Sequence, residues 1–148
     1  NVPKQSAVDI IAGNSYRFTG DSIVLKDAFL RNFNVKPCRV KNRIYTSKNI
    51  LLPDIENCIL NINSTKILIL GKSSVIHQRK EKIAVNVLIL SHNIKQTPAE
   101  INNLFTFNYI IADSSIPAWK SAKWKKEFEQ LHLRFYSVTQ DGAFTLNL

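Results

Sequence analysis

The sequence predicts a single α/β domain, mostly β over its first half and strand–helix–strand–helix–hairpin over its second. Three observations carry this. Ile83 to Leu90 is a near-continuous run of β-branched residues and leucine, as in a strand buried on both faces. Thr97-Pro98-Ala99-Glu100 is a capping box with proline at the first helical position. Tyr109 to Ala112 is a second apolar strand, followed by Ser114-Ser115-Ile116-Pro117 and a long helical pattern.

Taken in order, Ser6 to Ile11 and Asn14 to Thr19 read as a hairpin turning at Gly13-Asn14 and closed by Gly20-Asp21. Val24 to Phe33 has helical spacing, with Leu25, Phe29 and Phe33 on one face. Lys36 to Lys48 holds no acid, and the alternation of Val40, Asn42 and Ile44 predicts a strand with Arg39, Lys41 and Arg43 outward. Cys58 to Asn63 and Lys66 to Leu70 form two strands joined at Asn63-Ser64. After the capping box, one helix runs to Phe105 and the next to about Leu131. Arg134 to Val138 is a strand, and Asp141-Gly142 turns into a last strand, Ala143 to Leu146.

The 148 residues suit one domain and are 45% hydrophobic, enough for a core without disulfides. The chain begins at Asn1 and has no methionine, so we expect an excised or processed piece of a larger protein. No apolar run approaches the roughly 20 residues of a membrane helix, so the domain is expected to be soluble whatever its parent is. The formal charge of +9 fits an anionic partner, nucleic acid or lipid, or serves solubility alone.

Most catalytic motifs fail on spacing. Gly71-Lys72-Ser73 ends like a phosphate-binding loop, but Lys66 stands where that motif needs glycine. Cys38 and Cys58 form no Cys-x-x-Cys, and His77, His92 and His132 are isolated, so no zinc site is expected. The cysteines are a disulfide or two buried free thiols. Asn63-Ser64-Thr65 matches a glycosylation triplet too common to weigh. Ser91, His92 and Asp113 have the residue types of a hydrolytic triad, but no nucleophile-elbow glycines flank Ser91 and nothing local shows convergence.

The last long helix carries the binding candidates. Trp124, Phe128 and Leu131 recur at core spacing. Trp119, Lys123 and Lys126 form another stripe with Lys120 beside it. An exposed aromatic among lysines suits single-stranded nucleic acid, the ring stacking on a base and the ammonium groups meeting phosphates. The alternative is a tryptophan capping the core beside a solvated face. Ser114 and Ser115 precede the helix, where an anion would be favoured. Arg39, Lys41 and Arg43 are the second basic group.

Several segments together resemble the C-terminal domain of the ComEC competence proteins, membrane channels that admit transforming DNA as a single strand. They are Val87-Leu88-Ile89-Leu90-Ser91-His92-Asn93, Ile110-Ile111-Ala112-Asp113-Ser114-Ser115 and Phe135-Tyr136-Ser137-Val138-Thr139-Gln140-Asp141-Gly142-Ala143-Phe144. The opening Asn1 to Ile11 and Arg17-Phe18-Thr19-Gly20-Asp21 agree as well. The resemblance implies a degenerate, shortened metallo-β-lactamase-like fold of the Bacteroidetes type. The family's His-x-x-x-Asp-His loop is missing, Ser91-His92-Asn93-Ile94-Lys95 replaces Ser-His-His-Gly-Ser, and Ile116-Pro117 lacks the histidine of Gly-His-Pro. Asp21 stands near the family's hairpin aspartate.

The resemblance therefore implies a non-catalytic accessory domain of a DNA-uptake channel, without metal or cofactor. It would bind or guide single-stranded DNA, or brace the channel portion of the same polypeptide, with no small-molecule substrate. The parent would sit in the cell inner membrane with this domain on the periplasmic side, where a Cys38–Cys58 bridge could form. The competing expectation is a metal-dependent nuclease using His92, Asp113 and Asp21 with ligands supplied from elsewhere.

Overall fold

In the computed structural model the described residues are 2–44, the backbone of 46–47, and 57–72, 74 and 81–147. Lys48, Ser73 and His77 lie outside them. The chain opens with an antiparallel hairpin of β1 (Ala7–Ala12) and β2 (Ser15–Gly20), in which Ala12 pairs with Ser15. Gly13 takes a φ of 58° at the turn, in the left-handed region that glycine enters freely. At Gly20 a side chain would overlap the Ser6 carbonyl. Glycine there lets Asp21 lie against Ser6, which matters for the site below.

Helical turns follow: α1 (Ile23–Lys26), α2 (Ala28–Leu30), a π-helical stretch (Arg31–Val35) and α3 (Lys36–Lys41). The strand expected over residues 36–48 is therefore corrected to a helix through Lys41. Val35 and Arg39, four apart, both point inward, a spacing that a helix supplies and a strand does not. Pro37 sits near the helix start, where its missing N–H does no harm. Val24 and Val35 pack with Val2 and Phe18, whereas Phe29 and Phe33 stay exposed. A short strand β3 (Thr46–Ser47) runs parallel to β2.

The main sheet has five strands in the order β10-β9-β7-β5-β4. β4 (Ile59–Ile62) and β5 (Thr65–Leu70) form the expected hairpin. Its turn residues Asn63 and Ser64 have φ of 45° and 66°, the pair of positive values that matches strand twist. The run 83–90 is two strands rather than one, β6 (Ile83–Ala84) and β7 (Val87–Leu90). Asn86 divides them: its Oδ1 accepts from Lys66 N–H and its N–H donates to Lys66 carbonyl, both at 2.8 Å.

From β7 the chain follows the predicted alternation. The capping box forms at Thr97, and α4 (Pro98–Leu104) leads into β8 (Phe105–Thr106), which pairs with β6. Then come β9 (Tyr109–Ala112), α5 (Ala118–Gln130) and β10 (Phe135–Ser137). β5, β7, β9 and β10 are parallel, and β4 is the antiparallel edge.

Both sheet faces are covered, which is why these strands are apolar throughout. Leu68, Leu70, Leu88, Leu90, Ile110 and Ala112 pack on one face against Ile101, Trp124 and Phe128 of the helices. Burying one such large side chain contributes about 1.5–3 kcal/mol. Ile69, Val87, Ile89 and Ile111 form the other face, covered by Val8, Tyr136, Phe144 and Leu146.

The expected terminal hairpin is corrected. Residues 138–141 form a helical turn, α6 (Val138–Asp141), and 143–147 are irregular. Asp141 Oδ2 accepts from Ser137 N–H at 3.1 Å, and the Asp141 carbonyl accepts from the Tyr136 hydroxyl at 2.9 Å. The segment lies across the sheet instead of pairing at its edge, with Phe144 against Tyr136 at 5.0 Å. Among the described residues, no helix is long and apolar enough to cross a membrane.

Candidate functional site

Two polar regions compete for the role of site. The first lies at the carboxyl ends of β7 and β9, where open parallel sheets commonly bind ligands. Leu90 pairs with Ala112, so the residues that follow, Ser91 and Asp113, become neighbours. The Ser91 hydroxyl donates to Asp113 Oδ2 at 2.6 Å. Ser115 donates to Asp113 Oδ1 through both its N–H, at 3.0 Å, and its hydroxyl. Burial pushes the Asp113 carboxyl above the usual range, while hydrogen bonds from Ser115, Ser91 and Ser6 pull the other way.

His92 stands beside this group with a φ of 49°. Its N–H donates to Ser115 Oγ at 2.6 Å, its Nδ1 lies 3.3 Å from Ser91 Oγ, and its Nε2 lies 3.0 Å from Asp21 Oδ1. Asp21 Oδ2 in turn accepts from Ser6 N–H at 2.7 Å. Val2 N–H donates to Ser114 Oγ at 3.3 Å. The opening hairpin is thus fastened to the strand ends through residues 2, 6 and 21. The sequence offered Ser91, His92 and Asp113 without a sign that they meet. The fold does bring them together and sets Asp21, grouped with His92 and Asp113 by the nuclease expectation, against His92; Ser6 is the partner that went unnoticed.

This convergence is not a hydrolytic triad. Ser91 is fully buried and commits its proton to Asp113, so its oxygen faces no substrate. The donor set does not fit a catalytic metal either. Asp113 is saturated by hydroxyl and amide donors, and Asp21 and His92 face one another. Among the described residues no three His, Cys, Asp or Glu side chains could hold a metal ion. A single catalytic zinc takes three protein ligands, at least one more than this pair supplies.

Ser114 and Ser115, where an anion was expected, do not directly adjoin the helix start. α5 begins at Ala118 with Pro117 as its cap, and the Pro117 carbonyl accepts from Lys120 and Ser121 N–H groups. Ser114 is buried against Val2, and Ser115 is engaged by Asp113 and His92. Both hydroxyls are thus engaged within the protein.

The second region is the outer face of α5. Trp119 is 70% exposed, so it does not cap the core. Lys123 and Lys126 are exposed one and two turns along; Lys123 lies 3.7 Å from Glu127, a solvated pair of small energetic weight. Lys120 bends inward. Its ammonium donates to Asn93 Oδ1 at 2.8 Å and to the Ile94 carbonyl, and sits 4.6 Å from the Trp124 ring centroid. Burial lowers its pKa. Trp124 and Phe128 face the core as expected, while Leu131, at 38% exposure, does not complete that stripe.

The second basic group divides. Arg39 is buried and pairs with Asp9 through two 2.8 Å hydrogen bonds, with its guanidinium 3.6 Å from the Tyr16 ring centroid. Its expected outward position is corrected: this charge clamps α3 to the hairpin. Lys41 and Arg43 remain exposed at the end of α3. Cys38 and Cys58 are free and exposed, so neither the bridge nor the pair of buried thiols is found.

With this geometry established, the whole chain, residues 1–148, matches the family model described as the ComEC C-terminal domain. No curated protein and no solved structure matches it.

Proposed function

We propose that this chain, which belongs to the ComEC C-terminal domain family, serves competence DNA uptake as a non-catalytic accessory domain that holds the incoming single strand. The outer face of α5 is the contact surface. The observation that carries the reading is Trp119, 70% exposed on a helix whose next outward turns bear Lys123 and Lys126. A free indole face stacks on any base, and ammonium groups spaced by helical turns meet successive phosphates. Lys41 and Arg43 are exposed at the end of α3, and the total charge of +9 attracts a polyanion from a distance.

In the same reading residues 1–148 are one domain, a shortened metallo-β-lactamase-like unit on the periplasmic side of the inner membrane. It works beside the channel portion of the same polypeptide. The nuclease alternative finds no support in the donor set: Asp113 is enclosed by hydroxyl donors, and Asp21 and His92 are turned toward each other.

The test is fluorescence anisotropy of labelled single-stranded DNA with the chain at several salt concentrations. The expected result is binding that weakens steeply with salt, because counterions leave the strand as lysines replace them. Absence of binding at low salt overturns the reading in favour of a structural brace. Chelator-sensitive cleavage of the same DNA overturns its non-catalytic part.

A further inference from the structure

The helical segment between the hairpin and the main sheet presents an apolar seam to solvent. Phe29 and Phe33 are 65% and 69% exposed, with ring centroids 4.7 Å apart. They share a side because they are four residues apart in the helical segment, and Val40 on α3 is also more than half exposed. The segment's inward side is already satisfied by Val24, Val35 and the Arg39–Asp9 pair. The outward apolar groups therefore add nothing to the core, and their exposure favours folding in no way.

Charge identifies what covers them. From residue 22 to residue 44 the chain has a single acid, Asp27, which caps α2 by accepting from the Leu30 N–H at 2.9 Å. Lys26, Lys36 and Lys41 are exposed along the same segment. Large apolar side chains flanked by cations, with a single helix-capping acid among them, form the pattern of a helix that lies in a membrane interface: rings enter the headgroup–acyl boundary while ammonium groups stay with anionic headgroups.

We propose that the Phe29–Phe33 seam docks on an anionic lipid surface. A second copy of the chain fits poorly, because it would bring the same cations onto the same seam. Single-stranded DNA fits poorly as well. The two phenyl rings spend facing surface on each other, and Val40 has no π face for a base. The inference rests on a different observation from the DNA reading, which is carried by α5; the two share only Lys41.

The test is co-sedimentation of the chain with vesicles of phosphatidylcholine alone and of equal parts phosphatidylcholine and phosphatidylglycerol. Capture by the mixed vesicles only is expected, and Phe29→Ser/Phe33→Ser should weaken it by about tenfold or more. Ile59→Ser, which removes an exposed apolar side chain on β4, should leave capture unchanged. Far-UV circular dichroism confirms that each variant is folded. Failure of the mixed vesicles to capture the chain overturns the proposal. So does capture indifferent to the double phenylalanine change, which would assign it to net charge, or self-association that the double change abolishes.

Discussion

The strand-end cluster and the outer face of α5 are both rich in polar groups, but they spend them differently. At the strand ends Ser6, Asp21, Ser91, His92, Asp113 and Ser115 converge, and each bonds to another member. On α5, Trp119, Lys123 and Lys126 do not converge, yet they face solvent. The first has the residue types of a catalytic site and the connectivity of a clasp. The second has unremarkable chemistry and the availability that binding requires. Polar convergence marks function only where some donor or acceptor is left over for a ligand. Among the described residues no buried side-chain polar atom lacks a partner.

This contrast predicts a double dissociation. The largest effect belongs to the clasp. Asp113→Ala removes the acceptor shared by buried hydroxyls, and we expect a stability loss of roughly 3 kcal/mol in urea unfolding. DNA affinity of the folded fraction should stay unchanged. A change within about 0.5 kcal/mol would mean that the clasp is wet and replaceable.

The second variant reverses the pattern. Trp119→Ala should leave stability within about 0.5 kcal/mol, because the indole contributes little buried area. It should weaken single-stranded DNA binding by about 1–3 kcal/mol, the range for loss of one base stack. Lys123→Ala/Lys126→Ala should flatten the plot of log affinity against log salt by about 1.4, the share of two phosphate contacts. Equal affinity for all three proteins would remove α5 from the binding surface.

The smallest effect is a pH dependence. Burial holds the Asp113 carboxyl above the usual range, so the folded chain keeps this proton at pH values where the unfolded chain has lost it. Stability due to Asp113 is therefore fully present below the ordinary carboxylate range. It falls as pH rises from there through the raised folded value. Asp113→Asn is neutral throughout and should lack this fall. Unfolding midpoints of the two proteins across acidic to neutral pH check it, and curves that stay parallel would refute the assignment.

Much of the fold was legible from near neighbours in the chain. The capping box at Thr97 and Glu100, the paired positive-φ residues Asn63 and Ser64, and the apolar strands at 87–90 and 109–112 each declare themselves within a few residues. Around Arg39, where the alternation of Val40, Asn42 and Ile44 predicted a strand, the strand reading failed. The deciding partner, Asp9, lies thirty residues away. The terminal strand failed for a similar reason: Phe144 found a better surface on the sheet face than at its edge.

The α/β alternation, the departure of Gly71-Lys72-Ser73 from a phosphate-binding loop and the aromatic–lysine stripe of α5 are written in the chain itself. These follow from local periodicity, capping chemistry and residue type. Only the tertiary structure decided which polar residues are spent. Sheet register set Ser91 beside Asp113, and the close approach at Gly20 brought Asp21 to His92. Helix geometry turned Arg39 inward and left Trp119 in solvent. Burial and pairing depend on which distant segments share a surface, and spacing along a chain does not carry that information.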